Sequence, residues 1–189
     1  MRVLGLALVV MLSGCTALDR VNDALVSTGC FDLAPSTASS SVEHGVAITT
    51  GHGRGRGAIT GPRTVLTVEH VVGASSEVEV ATSSFGWTRA RVVRKIAAAP
   101  ESIVELELEG EAFDASRVAE QGEGAAAWIV AARGPIAWGA RVRQGDSGSP
   151  VMDSTGRLVG LIVGYAQGGA PVAAWLPTPS SDVQDLARR

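Results

Sequence analysis

The sequence predicts an all-β fold, and three observations carry that expectation. From Val46 to Leu176 the chain breaks into short apolar runs, separated at regular spacing by Gly, Ser and Pro, the pattern of strands joined by turns. Between the first residues and the tail, no long run of helical 3.6-residue periodicity interrupts them. Apolar residues make up 46% of the 189 residues, ample to fill a core at this length.

The elements follow in order. Arg2 precedes an apolar run from Val3 to Leu12, too short to span a bilayer as a mature helix, and it reads as an export signal. It ends in Leu12-Ser13-Gly14-Cys15, with small residues directly before a cysteine. Leu18, Val21, Leu25 and Val26 give the next stretch a short amphipathic helix, and residues 35–41 (PSTASSS) form a flexible linker by composition. The expected divisions are therefore a signal at 1–14, a tether at 15–41 and a folded domain at 42–189. Strands are expected at Val46 to Thr50, Ala58 to Thr60, Thr64 to Val68, Glu77 to Ala81 and Trp87 to Lys95. They continue at Ile103 to Leu108, Ala126 to Ala132, Ala137 to Arg143, Pro150 to Met152, Leu158 to Tyr165 and Val172 to Leu176. Ser181-Asp182-Val183-Gln184 fits a capping box opening a short C-terminal helix.

Composition excludes several functions. The net charge is −3 with scattered basic residues, which leaves no footprint for nucleic acid. No cluster of Cys, His and carboxylates has metal-ligand spacing, so neither a metal nor another cofactor is expected. Gly51-His52-Gly53-Arg54-Gly55-Arg56-Gly57 lacks the Lys-Ser/Thr that completes a phosphate loop. Trp87, Trp128, Trp138 and Trp175 are most simply core or barrel-end residues.

The chemistry concentrates in Gln144-Gly145-Asp146-Ser147-Gly148-Ser149-Pro150-Val151. A serine between glycines sits on a tight turn, clear of side-chain bulk, and the glycines free backbone N–H groups to converge on a developing oxyanion. Such a nucleophile needs a base, and His70 ends the apolar run Val65-Leu66-Thr67-Val68-Glu69-His70 after the turn-forming Gly61-Pro62-Arg63. An acid to support the imidazole is sought before the strand Ile103 to Leu108. Strand alternation places Ser102 on the face of Val104, Leu106 and Leu108, while Glu101, one residue away, carries the charge. Both stay open as the third member.

These segments resemble those of the chymotrypsin-like (trypsin-like) serine proteases. Gly145 to Pro150 matches the G-D-S-G-[GS]-P signature, Thr67, His70 and Val71 match the histidine element, and Gly55 to Ile59 is similar to the glycine-rich approach to a barrel strand. The resemblance spans roughly Val42 to Leu186. It implies two six-stranded antiparallel β-barrels packed at right angles, with the site in their cleft. It further implies Ser147 as nucleophile, His70 as general base and then acid, and the Gly145 and Ser147 amides as oxyanion hole. Asp146 matches the acid beside the nucleophile, which in relatives matured by cleavage pairs with a new amino terminus. Gly156 to Tyr165 resembles the hairpin whose second strand lines the primary pocket, so Val163, Gly164 and Tyr165 would flank the substrate backbone. Arg141, six residues before Ser147, falls near the pocket base, where a cation favours an acidic side chain.

Leu12 to Cys15 resembles the bacterial lipobox, which implies lipidation of Cys15. A lipid on Cys15 tethers the domain without embedding it and leaves Cys30 without an intrachain partner. With Thr16 following, the expected location is the outer membrane, facing the periplasm. The leading expectation is a membrane-tethered serine endopeptidase acting on protein or peptide substrates. The alternative is a weak or inactive protease-like lipoprotein that binds peptides or partner proteins; an esterase using the same groups ranks third.

Overall fold

Val104, Leu106 and Leu108 alternate with Glu105 and Glu107 along one strand, and that period of two decides which side faces a core. In the computed structural model, which describes residues 44–51, 53–82, 86–110 and 112–177, all three apolar residues are fully buried. The glutamates face outward, where Arg94 and Arg91 meet Glu105 and Glu107 at 2.7 and 2.5 Å. These pairs are exposed and add little stability; the buried face holds the strand in register.

Six strands close into the first barrel: β1 (Gly45–Thr49), β2 (Arg54–Gly61), β3 (Thr64–Val68), β4 (Glu77–Thr82), β5 (Gly86–Ile96) and β6 (Ile103–Leu108). Their order is β1-β2-β3-β6-β5-β4, antiparallel throughout, with β1 also bonded to β4. A single helical turn, α1 (Glu69–Val72), follows β3 and stops at Gly73, where φ is +58°. A 3-10 turn (Ala115–Arg117), capped by the Asp114 side chain, leads toward the second half.

That half is a five-stranded antiparallel sheet in the order β11-β10-β9-β7-β8, built from β7 (Ala126–Ala131), β8 (Gly134–Ala137), β9 (Pro150–Asp153), β10 (Leu158–Tyr165) and β11 (Pro171–Trp175). It is apolar on both faces. Met152, Leu158, Leu161 and Ala174 join the core of the barrel, while Ile129, Val151, Val159 and Ile162 form a second cluster against Ile136 and Trp138. This explains why β9 and β10 read as nearly unbroken apolar runs rather than alternating ones. The sheet remains open between β8 and β11, where Trp138 packs against Trp175 with ring centroids 5.5 Å apart and planes tilted by 57°, a favourable edge-on geometry.

The all-β, chymotrypsin-like architecture stands, with two differences in the second half. Among the described residues it has five strands and does not close. The strand expected at Ala137 to Arg143 lies earlier, at Gly134–Ala137, because the hairpin from β7 is tight and fixes Trp128 opposite Ala137 and Ala131 opposite Gly134. Gly139, at φ +92°, then turns the chain away. The export signal, Cys15, the tether, Cys30 and the C-terminal helix expected from Ser181 fall outside the described residues. Among those residues, no helix is long and apolar enough to cross a membrane.

Candidate active site

His70 is placed by the end of β3. That strand pairs with β6 in the register Thr64↔Glu107 through Val68↔Ile103. Continued past the last pair, the same register sets Glu69 opposite Ser102 and His70 opposite Glu101. The contacts follow it: the Glu69 N–H donates to the Ser102 carbonyl at 3.0 Å, and the His70 N–H donates to Glu101 Oε1. His70 Nδ1 lies 2.8 Å from Glu101 Oε2 and 3.0 Å from Oε1. Of the two candidates for third member left open by the sequence, Glu101 lies against the imidazole. Ser102 faces Glu69, whose carboxyl is held below the usual glutamate range by its hydrogen bond to Lys95, by that residue's charge and, to a lesser extent, by Ser102.

The other half of the site hangs on the turn between Gln144 and Pro150. Gly145 takes φ +92° and Gly148 φ +82°, a region costly for any residue with a Cβ. At Gly148 there is also no room for a side chain, because the Arg56 carbonyl and Thr67 Oγ1 occupy the space. Thr67 itself donates to that carbonyl at 2.7 Å, so β3 and β2 together grip the turn from below. The Gly148 N–H donates to the Ile162 carbonyl at 2.6 Å and the Ser149 N–H to the Asp146 carbonyl at 2.9 Å. Neither the Gly145 nor the Ser147 N–H donates to any acceptor among the described residues.

Gly55 brings the halves together. A Cβ there would lie 2.5 and 2.8 Å from the methyls of Val71 and 2.9 Å from the Ser147 carbonyl. The neighbour of His70 and the backbone of Ser147 thus border the space of one missing methyl group. The next residue, Arg56, donates its N–H to the Ser147 carbonyl at 2.7 Å. Ser147 Oγ donates to the Val163 carbonyl at 3.2 Å, and no Ser147–His70 hydrogen bond forms in this structure. Beside His70 a cavity of about 310 Å³ is lined by Thr50, Gly53, Val71, Gly73 and Ser75.

Gly164 has open space where a side chain would stand, Tyr165 is exposed, and Val163 is half-buried. The Arg141 stem lies across Gly169, with Cγ and Nε 2.6 and 2.8 Å from where a Cβ would be, and its backbone continues into a Val142–Gly169 hydrogen bond of 3.4 Å. One contributor is absent from the sequence reading. Arg133, in the β7–β8 hairpin, reaches Asp146 Oδ2 at 3.2 Å, and the Arg143 N–H donates to the same oxygen at 2.9 Å. An arginine beside a hairpin glycine gives no sequence signal for this role; only the tertiary fold does. His44, the other described histidine, bonds through Nδ1 to the Arg117 carbonyl at 3.0 Å and takes no part in the site. Among the described residues, no group of three metal-ligating side chains forms.

No protein-family model matches the chain, and no curated protein sequence does. Solved structures do. Rv3671c from M. tuberculosis H37Rv, in an inactive form, is 20% identical, with 82% of this chain and 91% of that one covered and a TM-score of 0.57. A human pathogenic astrovirus serine protease is 18% identical, covering 74% and 92%, with a TM-score of 0.57. Neuropsin, a serine protease expressed in the limbic system of mouse brain, is 14% identical, covering 80% and 97%, with a TM-score of 0.53. The fold is that of the chymotrypsin-like serine proteases.

Proposed function

We propose that this protein is a serine endopeptidase in which Ser147, His70 and Glu101 form the catalytic triad. The observation that supports this most is the clasp of both Glu101 oxygens on His70 Nδ1. It holds the ring as the tautomer with its proton on Nδ1 and leaves Nε2 as the basic nitrogen. Ser147 Oγ attacks the peptide carbonyl as His70 Nε2 takes its proton, and Glu101 stabilises the resulting imidazolium. The open N–H groups of Gly145 and Ser147 receive the oxyanion. His70 then protonates the departing amine, whose segment has the cavity beside His70 to enter, and water reverses the steps on the acyl-enzyme. An extended substrate adds as a strand along Val163 to Tyr165, and the Arg141 guanidinium favours an acidic side chain there.

The same reading tethers the domain by lipid on Cys15, exported and at the outer membrane facing the periplasm, on the evidence of Leu12 to Cys15. The test of catalysis is a fluorophosphonate probe. It labels the purified protein, and Ser147→Ala abolishes the label; labelling that survives this substitution removes Ser147 as nucleophile. The competing reading, a peptide-binding lipoprotein without turnover, draws on Ser147 Oγ being turned to Val163 rather than to His70. Catalytic hydrogen bonds often tighten only with substrate in place, so the probe separates the two. Peptide binding without labelling favours the second.

A further inference from the structure

Two carboxylates stand beside His70. Glu101 is the first, with both oxygens on Nδ1. Glu69 is the second; it directly precedes the base and opens the same helical turn. Its N–H donates to the Ser102 carbonyl at 3.0 Å, which sets it against the residue next to Glu101. Its carboxyl is held below the usual glutamate range, chiefly by the Lys95 hydrogen bond and charge, so it is ionised at neutral pH. A loose carboxylate at this position would favour the imidazolium, the form of His70 that cannot take a proton from Ser147.

Lys95 holds that carboxylate. It lies near the end of β5, paired with Val104 of β6, and its Nζ donates to Glu69 Oε1 at 2.5 Å. Arg94, the residue before it, is taken up by Glu105 at 2.7 Å. On the cavity side of His70, Thr50, Gly53 and Ser75 carry no charge, and the nucleophile turn presents the neutral Ser147. The Lys95–Glu69 pair is exposed, at 51% and 38%, so it adds little to stability. Its consequence is electrostatic and falls on the neighbouring imidazole.

We propose that Lys95 is a positioning residue for the base, drawing the Glu69 carboxylate away from the imidazole so that Glu101 alone acts on His70. This rests on the reading of Ser147, His70 and Glu101 as a catalytic triad. The two partners then differ in effect. Removing Lys95 frees a charge beside the base, whereas neutralising Glu69 removes the charge that needed holding.

The experiment follows kcat/KM for a small ester against pH in the full-length protein. In Lys95→Ala the acidic limb moves up by about one unit. The rate at the foot of that limb therefore falls about tenfold and recovers at alkaline pH. Glu69→Gln does not raise the limb, and the double variant Lys95→Ala/Glu69→Gln brings it back to the wild-type position. Lys95→Arg, which keeps the charge, behaves as wild type, and added salt shrinks the shift in Lys95→Ala. A merely structural ion pair gives a different pattern: equal losses from Lys95→Ala and Glu69→Gln, no rescue in the double variant and no dependence on pH. Any of these outcomes overturns the proposal, as does a limb in Lys95→Ala that stays at the wild-type position. The His70 ring-proton resonances are titrated by NMR on the same proteins, a reading that needs no turnover, and they shift in the same order. If the wild type neither hydrolyses ester nor reacts with a fluorophosphonate, the endopeptidase reading fails. The NMR titration alone then decides whether Lys95 governs the imidazole.

Discussion

Glu101 presents two oxygens to one ring nitrogen and also receives the His70 N–H. The backbone and side chain of His70 are therefore held by the same carboxylate. Replacing it with the isosteric amide leaves the shape and removes the charge that an imidazolium requires. Glu101→Gln is expected to lower kcat by about four orders of magnitude, as in related triads, with the thermal midpoint moved little. An ester assay and a melting curve on one preparation check this, and a loss under tenfold removes Glu101 from the mechanism. Ser102→Ala, by contrast, retains wild-type rates in the same ester assay. Ser147 and His70 were legible in the sequence as candidates, since both stand in motifs with a chemical reason for each glycine or flanking strand. It left the acid open for a physical reason. Face alternation within β6 singles out Ser102, but the partner of His70 is decided by the register between β3 and β6, which no single strand encodes.

Between elements, the close approach of β2 to the nucleophile turn is the sensitive point. Gly55→Ala would press a methyl into Val71 and the Ser147 carbonyl. The expected cost is about 1–3 kcal/mol of stability, accompanied by slower fluorophosphonate labelling because Ser147 is displaced. Denaturant melts and labelling rates read the two effects separately. A second prediction concerns the hairpin between β9 and β10. Asp153 is buried and accepts the Thr155 hydroxyl at 2.7 Å, the Thr155 N–H at 2.8 Å and the Arg157 N–H at 3.0 Å. Its carboxyl is held below the ordinary value of 3.8, chiefly by the Thr155 hydroxyl and further by those N–H groups and the Arg157 charge. A depressed carboxylate contributes stability that is present above its unfolded pKa and fades as pH falls through the folded one. The wild-type melting temperature should drop below about pH 4. Asp153→Asn should be destabilised by about 1–3 kcal/mol at neutral pH and lose part of that acid sensitivity. Strand positions were legible wherever alternation or turn chemistry spoke, as in β3, β6 and β10. The Ala137 to Arg143 expectation failed because a mixed run of Ala, Trp, Val and Arg has no periodicity to set its start, and the tight β7–β8 hairpin set it instead.

At the scale of the whole molecule, the lipid anchor proposed from Leu12 to Cys15 is tested outside the described residues. Cys15→Ala is expected to end incorporation of radiolabelled palmitate and to move the protein from the membrane pellet to the soluble fraction. Palmitate incorporation that survives the substitution places the lipid elsewhere. The folded domain divides its labour unevenly. A closed barrel carries His70 and Glu101, whereas the open sheet carries Ser147 and Val163 to Tyr165, and Trp138 packs against Trp175 between its two edges. Two indoles 5.5 Å apart at 57° couple as chromophores. The pair should give an exciton couplet in the circular dichroism spectrum, a signal that neither ring yields alone. On the proposed reading, in which a peptide adds along β10, that couplet is an optical gauge by which binding should be followed without any added label.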